Sequence, residues 1–193
     1  MSKKILLTML GIGLLAMLSG LASLAVFTDT ASVGGNTFAT GTVDITTSPT
    51  TALVTFSGMA PGDSITDDIT VTNAGTLALR YAVTSTTTEN TLAAQLDLTI
   101  WDEAAESDGG TTCNATAPGT VLYGPADLGS TTGVNVMGSP TQGSQAGDRT
   151  LAATANEVLC FRVALPSSTG DTFQNLTTTA TFAFQAEQTA NNP

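Results

Sequence analysis

Apolar residues recur at every second position over long stretches of this chain, and that spacing decides which folds are open to it. Leu77, Leu79, Tyr81 and Val83 alternate with Ala78, Arg80, Ala82 and Thr84. Successive side chains of a strand point to opposite faces, so this spacing makes one apolar face in a strand and none in a helix. The same period links Ile65, Ile69 and Val71 within residues 64–73, then Leu96, Leu98 and Ile100. It returns at Leu159, Phe161, Val163 and Leu165, and at Leu176, Ala180, Phe182 and Phe184, with a further short strand expected over residues 53–56. Residues 64–73 and 77–84 read as a hairpin turned at Asn73-Ala74-Gly75, and residues 90–95 as a short helical turn. Thr is the dominant residue, while the helix-building mixture of Lys, Glu, Gln and Arg is scarce. About seven to nine short strands punctuated by Gly, Pro and Asp predict an all-β fold, a jelly-roll-like antiparallel β-sandwich. Residues 107–118 and 129–149, rich in Gly, Ser, Thr and Asn, are expected as long surface loops. The runs Thr86-Thr87-Thr88 and Thr177-Thr178-Thr179 lack the regular spacing of an ice-binding array and read as exposed strand threonines.

The first residues are of another kind. Lys3 and Lys4 precede an apolar run over residues 5–18, interrupted only by Thr8 and glycines, which is the pattern of an export signal. Ser23-Leu24-Ala25 offers the small residues a signal peptidase needs, so cleavage is expected between Ala25 and Val26. The alternative is an uncleaved anchor, since residues 5–27 match the roughly 20 apolar residues that cross a bilayer. No cysteine follows the run, which argues against a lipoprotein, and residues 188–193 carry neither a second apolar span nor a sorting signal. The expected location is therefore outside the cell, in a matrix or at the surface. Both lysines leave with the signal, whereas all 16 acidic residues follow Ala25. The mature chain keeps Arg80, Arg149 and Arg162, for a formal charge of 3 − 16 = −13. Such a chain has no basic stripe for nucleic acid or anionic lipid.

Cys113 and Cys160 are an even count in an exported chain, and a single intramolecular disulfide is the favoured reading over two buried thiols. Closing that loop contributes about 4 kcal/mol on the chain-entropy estimate.

Catalytic equipment is sparse. The chain has no histidine, which removes the commonest general base and every zinc pattern built on it, and two cysteines cannot make a four-ligand site alone. No cofactor is expected. Asp102, Glu103 and Glu106 could be paired for glycoside hydrolysis, and Asp63, Asp67 and Asp68 could contribute to a calcium site. A solvated acidic surface explains both groups more simply. Asn114-Ala115-Thr116 and Asn175-Leu176-Thr177 match the N-glycosylation acceptor pattern, which matters if the producing cell glycosylates its exports.

Two blocks carry a family likeness. Phe27-Thr28-Asp29 is followed by Asn36-Thr37-Phe38-Ala39-Thr40-Gly41-Thr42-Val43-Asp44-Ile45, and later come Met59-Ala60-Pro61-Gly62-Asp63-Ser64-Ile65 and Val71-Thr72-Asn73-Ala74-Gly75-Thr76-Leu77. This resembles the TasA and camelysin (CalY) family of exported biofilm-matrix proteins. The positions carried over are Thr37, Phe38, Gly41, Thr42, Asp44, Pro61, Gly62, Asp63, Asn73 and Gly75. The resemblance covers the signal and roughly the first 60 mature residues. It implies a jelly roll, release by a SipW-type signal peptidase, and self-assembly in which the freed N-terminal segment is donated as a strand to a neighbouring copy. On this sequence the segments would be a signal at 1–25, a donor at 26–36 with Val26, Phe27, Ala31 and Val33, and one sandwich domain at 37–193. Other matrix proteins or polysaccharide are further partners its loops could meet. Camelysin-type relatives have been described as metallopeptidases, so the resemblance also implies a peptidase alternative, and a monomeric adhesin or cation-binding surface module is a third. The chain departs from the family in having no mature lysine, in its cysteine pair and in a short middle.

Overall fold

The computed structural model describes residues 2–21, 37, 39–50, 58–103, 113 and 119–192. The chain divides into two units, Met1–Ala39 and Thr40–Pro193. In the first, α1 (Lys3–Leu21) is a 19-residue helix without an acidic first turn or a basic last turn. Leu6, Leu7, Met9, Leu10 and Ile12 on it are exposed. Among the described residues no helix is long and apolar enough to cross a membrane. The cleavage point at Ala25 and Val26 and the donor positions Phe27, Ala31 and Val33 lie outside the described residues, as do Phe38, Glu106, Asn114 and the strand expected at 53–56.

The second unit is an all-β sandwich of nine described strands: β1 (Ile45–Ser48), β2 (Ser64–Asn73), β3 (Leu79–Thr87), β4 (Asp97–Asp102), β5 (Thr120–Asp127), β6 (Val134–Met137), β7 (Arg149–Leu151), β8 (Asn156–Ala164) and β9 (Ala180–Gln188). One sheet runs β1-β2-β8-β4-β5 with antiparallel neighbours throughout. In the other, β3 is central, with β9 along one side and the short β6 and β7 along the other. The chain changes sheet between β2 and β3, β3 and β4, β5 and β6, β7 and β8, and β8 and β9. These repeated crossings make the sandwich jelly-roll-like.

The alternation seen in the sequence supplies the core. Ile69 and Val71 of β2, Leu98 and Ile100 of β4, and Leu159 and Phe161 of β8 face Leu79, Tyr81 and Val83 of β3. The Phe161 ring meets Phe182 of β9 edge-on at 4.9 Å across the two sheets. Each such side chain contributes about 2 kcal/mol on burial. Asn90–Gln95 makes the expected helical turn: the amide N–H of Ala94 donates to Asn90 O and that of Leu96 to Leu92 O.

Two surface readings need correction: Glu103 is buried and Asp102 is ion-paired to Arg149 rather than solvated, and Thr87 is buried while residues 177–179 precede β9 rather than lie in a strand. Three readings of strands and loops need correction too. Residues 64–73 and 77–84 are not a hairpin, because β2 pairs with β1 and β8 while β3 belongs to the other sheet. Asn73-Ala74-Gly75 is instead an arch between sheets, and hydrogen bonds beyond the turn itself pin it there. Residues 129–149 are not one surface loop, since they contain β6, whose Val136 and Met137 are buried; two apolar residues in a strand of four are too few to stand out as periodicity. Leu176, expected in the last strand, lies before it and is 40% exposed.

Candidate functional site

The arch between β2 and β3 gathers much of the family motif. Asn73 is fully buried, and its Nδ2 donates to Leu77 O (2.8 Å), Ala152 O (3.0 Å) and Leu151 O (3.3 Å). Its Oδ1 accepts the Gly75 N–H at 2.9 Å. The stretch before β1 is stitched to the same arch: Ala74 N–H donates to Asp44 O (2.8 Å), and Thr76 and Leu77 N–H both donate to Thr42 O (3.0 and 3.1 Å). Thr42 N–H donates to Thr76 Oγ1 at 2.9 Å. Close approach requires glycine at position 75, where a Cβ would lie 2.4 Å from the backbone Thr42 O, whereas a Cβ on Gly41 would meet the Leu77 side chain, 2.5 Å from its Cδ2. Gly41, Thr42, Asp44, Asn73 and Gly75 therefore form one corner.

Pro61, Gly62 and Asp63 are elsewhere, at the other end of β2. There Gly62, at φ +100°, donates its N–H to Leu165 O at 2.7 Å, Leu165 N–H donates to Asp63 O at 2.9 Å, and Asp63 Oδ2 accepts the Ala60 N–H at 2.8 Å. Thr37 is exposed and belongs to no element.

The sheet edges differ in what they offer another strand. β5 meets β4 through two register shifts and contains Pro125, which has no N–H to give. The edge opposite β9 is divided between β6 and β7. β9 is long, regular and free of proline, and among the described residues it pairs with β3 alone. Likewise β1 covers only Thr70–Asn73 of β2, so that among the described residues Ser64–Ile69 pairs with β8 alone. Where β2 begins and β9 is about to begin, an open cleft of about 430 Å³ is lined by Met59, Leu92, Leu96, Leu165, Phe173 and Leu176 among others.

A charged network ties the two sheets together, and the sequence alone did not reveal it. Tyr81 OH donates to Glu157 Oε1 at 2.8 Å, and Arg149 bridges Asp102 Oδ2 (Nη2, 2.6 Å) and Glu157 Oε2 (Nε, 3.1 Å). Burial and the Glu157 carboxylate push the Tyr81 hydroxyl far above its usual range. Burial works against the Arg149 charge, but Glu157 and Asp102 outweigh it and hold the guanidinium protonated. On the outer face of β3, Arg80 Nε donates to Glu187 Oε1 at 2.5 Å, and the same oxygen accepts the Gly143 N–H at 2.9 Å. Charged pairs between distant strands leave no spacing signal in a sequence.

Among the described residues the donor set does not fit a catalytic metal. The chain has no histidine, and Cys113 and Cys160 are joined to each other. Where Asp102 and Glu157 converge, the Arg149 guanidinium already supplies the positive charge. Asp67 and Asp68 are consecutive in β2 and so point to opposite faces, while Asp63 is engaged by Ala60. Among the described residues no three Asp, Glu, His or Cys come together to hold a metal ion.

The family model described as camelysin metallo-endopeptidase matches residues 1–102, a span that includes both motif blocks and ends with β4. No curated protein matches the chain.

Proposed function

The chain belongs to the camelysin metallo-endopeptidase family, and from that footing we propose that its mature form is a structural subunit of extracellular fibres rather than a peptidase. The observation that carries this reading is the β9 edge, nine residues without a proline and with no second partner among the described residues. An exposed regular edge is a template for another strand, and native sheets normally blunt it. Main-chain hydrogen bonds from an added strand supply affinity, and its alternate side chains supply specificity by filling pockets.

The donor in this proposal is residues 26–36 of a second copy, with Phe27 as its apolar anchor and the cleft around Met59, Leu96 and Leu165 as the place that receives it. The motif corner supports the assignment. It fastens Thr42 and Asp44 to the arch, so the sandwich holds firmly the chain that begins just after the donor. Against peptidase chemistry stands the missing histidine, together with a carboxylate pair already engaged by one arginine.

Cutting after Ala25 by a SipW-type peptidase would then both export the subunit and free its donor. The test is a variant that the signal peptidase cannot cut, with Ala25 replaced by a bulky residue, compared with the wild type by negative-stain imaging of cell-surface and secreted fractions. Filaments from the wild type and none from the variant are expected. Filaments built by the uncut variant would contradict the link between cleavage and assembly.

A further inference from the structure

We propose that Asn175 is an N-glycosylation site, modified once the chain has left the cytoplasm. This needs export, and its test does not require fibres, although Asn175 lines the cleft assigned above to the donor strand. The acceptor pattern is frequent by chance in a chain rich in Thr, so the tripeptide alone decides little; its setting decides more. Asn175, Leu176 and Thr177 are all exposed and lie in an irregular stretch between the 3-10 turn Asp171–Phe173 and the first residue of β9. A glycosyltransferase must draw the tripeptide into its own pocket, which a residue locked in a sheet ladder resists and a surface loop allows. Asn175 has φ +60°, a left-handed conformation that asparagine adopts more readily than most residues and that no strand contains.

Its side chain is also unoccupied. Asn73 is fully engaged at the arch, Asn90 bonds Thr131 in both directions, and Asn135 bonds Thr84. Asn175 makes no side-chain hydrogen bond among the described residues, and neither does the Thr177 hydroxyl, the group an acceptor tripeptide needs. The middle residue, Leu176, is not proline.

The reaction takes an oligosaccharide linked through phosphate to an isoprenoid lipid. Asn175 Nδ2 forms a bond to C1 of the first sugar and the C1–O bond to phosphate breaks. The electron pair leaves with the lipid phosphate, and the amide proton passes to a base of the transferase. A glycan here would stand at the rim of the apolar cleft, over Leu176, which is 40% exposed.

The chain's scarcity of basic residues makes the test clean. After reduction, trypsin cuts the mature protein only after Arg80, Arg149 and Arg162, so peptide 163–193 carries Asn175 while Asn114 falls in peptide 81–149. Protein recovered from outside its native producing cells should give peptide 163–193 heavier than its sequence mass by a glycan, with sugar fragment ions. Asn175→Gln and Thr177→Ala should return it to the sequence mass, and Thr177→Ser should keep the modification. Peptide 163–193 found only at its sequence mass in the wild-type exported protein overturns the proposal, as does added mass that survives Asn175→Gln.

Discussion

Asn73 shows how a single polar side chain can fix a chain reversal between two sheets. Its amide reaches the carbonyls of Leu77, Leu151 and Ala152 and caps the Gly75 N–H, all at a position with no solvent exposure. Asn73→Ala strands these groups in the core, and we expect a loss of about 3 kcal/mol in denaturant unfolding, since each buried group left unsatisfied costs about 1–3 kcal/mol. A loss below about 1 kcal/mol would show that the arch is held by the backbone alone. Glu187 makes a different prediction. Its hydrogen bond to Arg80 first, with Gly143 and Asn192 adding to it, holds the carboxyl below its ordinary value of 4.5. A carboxyl depressed in the folded state stabilises above its unfolded value and loses that contribution as pH falls through the folded one. Stability should therefore fall on acidification below about 4.5, and Glu187→Gln should flatten that fall in thermal melts at pH 3 to 6. An unchanged slope would remove Glu187 from the acid response.

Strand by strand, the sequence was readable wherever at least three apolar residues fell on one face. β2 was expected at residues 64–73 and is found at Ser64–Asn73, while β3, β4, β8 and the body of β9 lie where Leu79, Leu98, Phe161 and Phe182 placed them. What stayed hidden was pairing. Asn73-Ala74-Gly75 has the composition of a hairpin turn, and the partners that make it an arch instead lie far off in sequence, among them the carbonyls almost eighty positions away that Asn73 reaches. β5 and β6 escaped because Val121-Leu122-Tyr123 and Val134-Asn135-Val136 are too short to establish a period. The disulfide, expected from cysteine count and compartment, joins Cys113 to Cys160 of β8 across a separation of 47 residues. Cys160 is buried beside Trp101, its register partner on β4 and the chain's single tryptophan, on the face of the sheet away from the core. Replacing both cysteines by serine should lower stability by up to about 4 kcal/mol, because the unfolded chain regains the freedom of that loop. Trp101 fluorescence can follow the shift in denaturation midpoint. An unshifted midpoint would mean that the bond contributes nothing beyond the sheet itself.

At the scale of the whole molecule, the formal charge of 5 − 16 = −11, which the expected removal of residues 1–25 would take to 3 − 16 = −13, sets copies apart at low ionic strength, so association needs a contact strong enough to overcome repulsion. Backbone pairing along an open edge is such a contact, and in the proposed fibre the β9 edge would receive it from a strand of another copy. The metallo-endopeptidase description of the family implies a metal, which the described donors do not suit: there is no histidine, the cysteines are bonded to each other, and Arg149 sits where Asp102 and Glu157 converge. The most direct test of the fibre account removes residues 26–33 from the mature chain and images the purified product by negative stain beside the intact mature protein. The account predicts filaments from the intact chain and folded monomers, with an unchanged far-ultraviolet β spectrum, from the truncated one. Normal filaments from the truncated chain would contradict it.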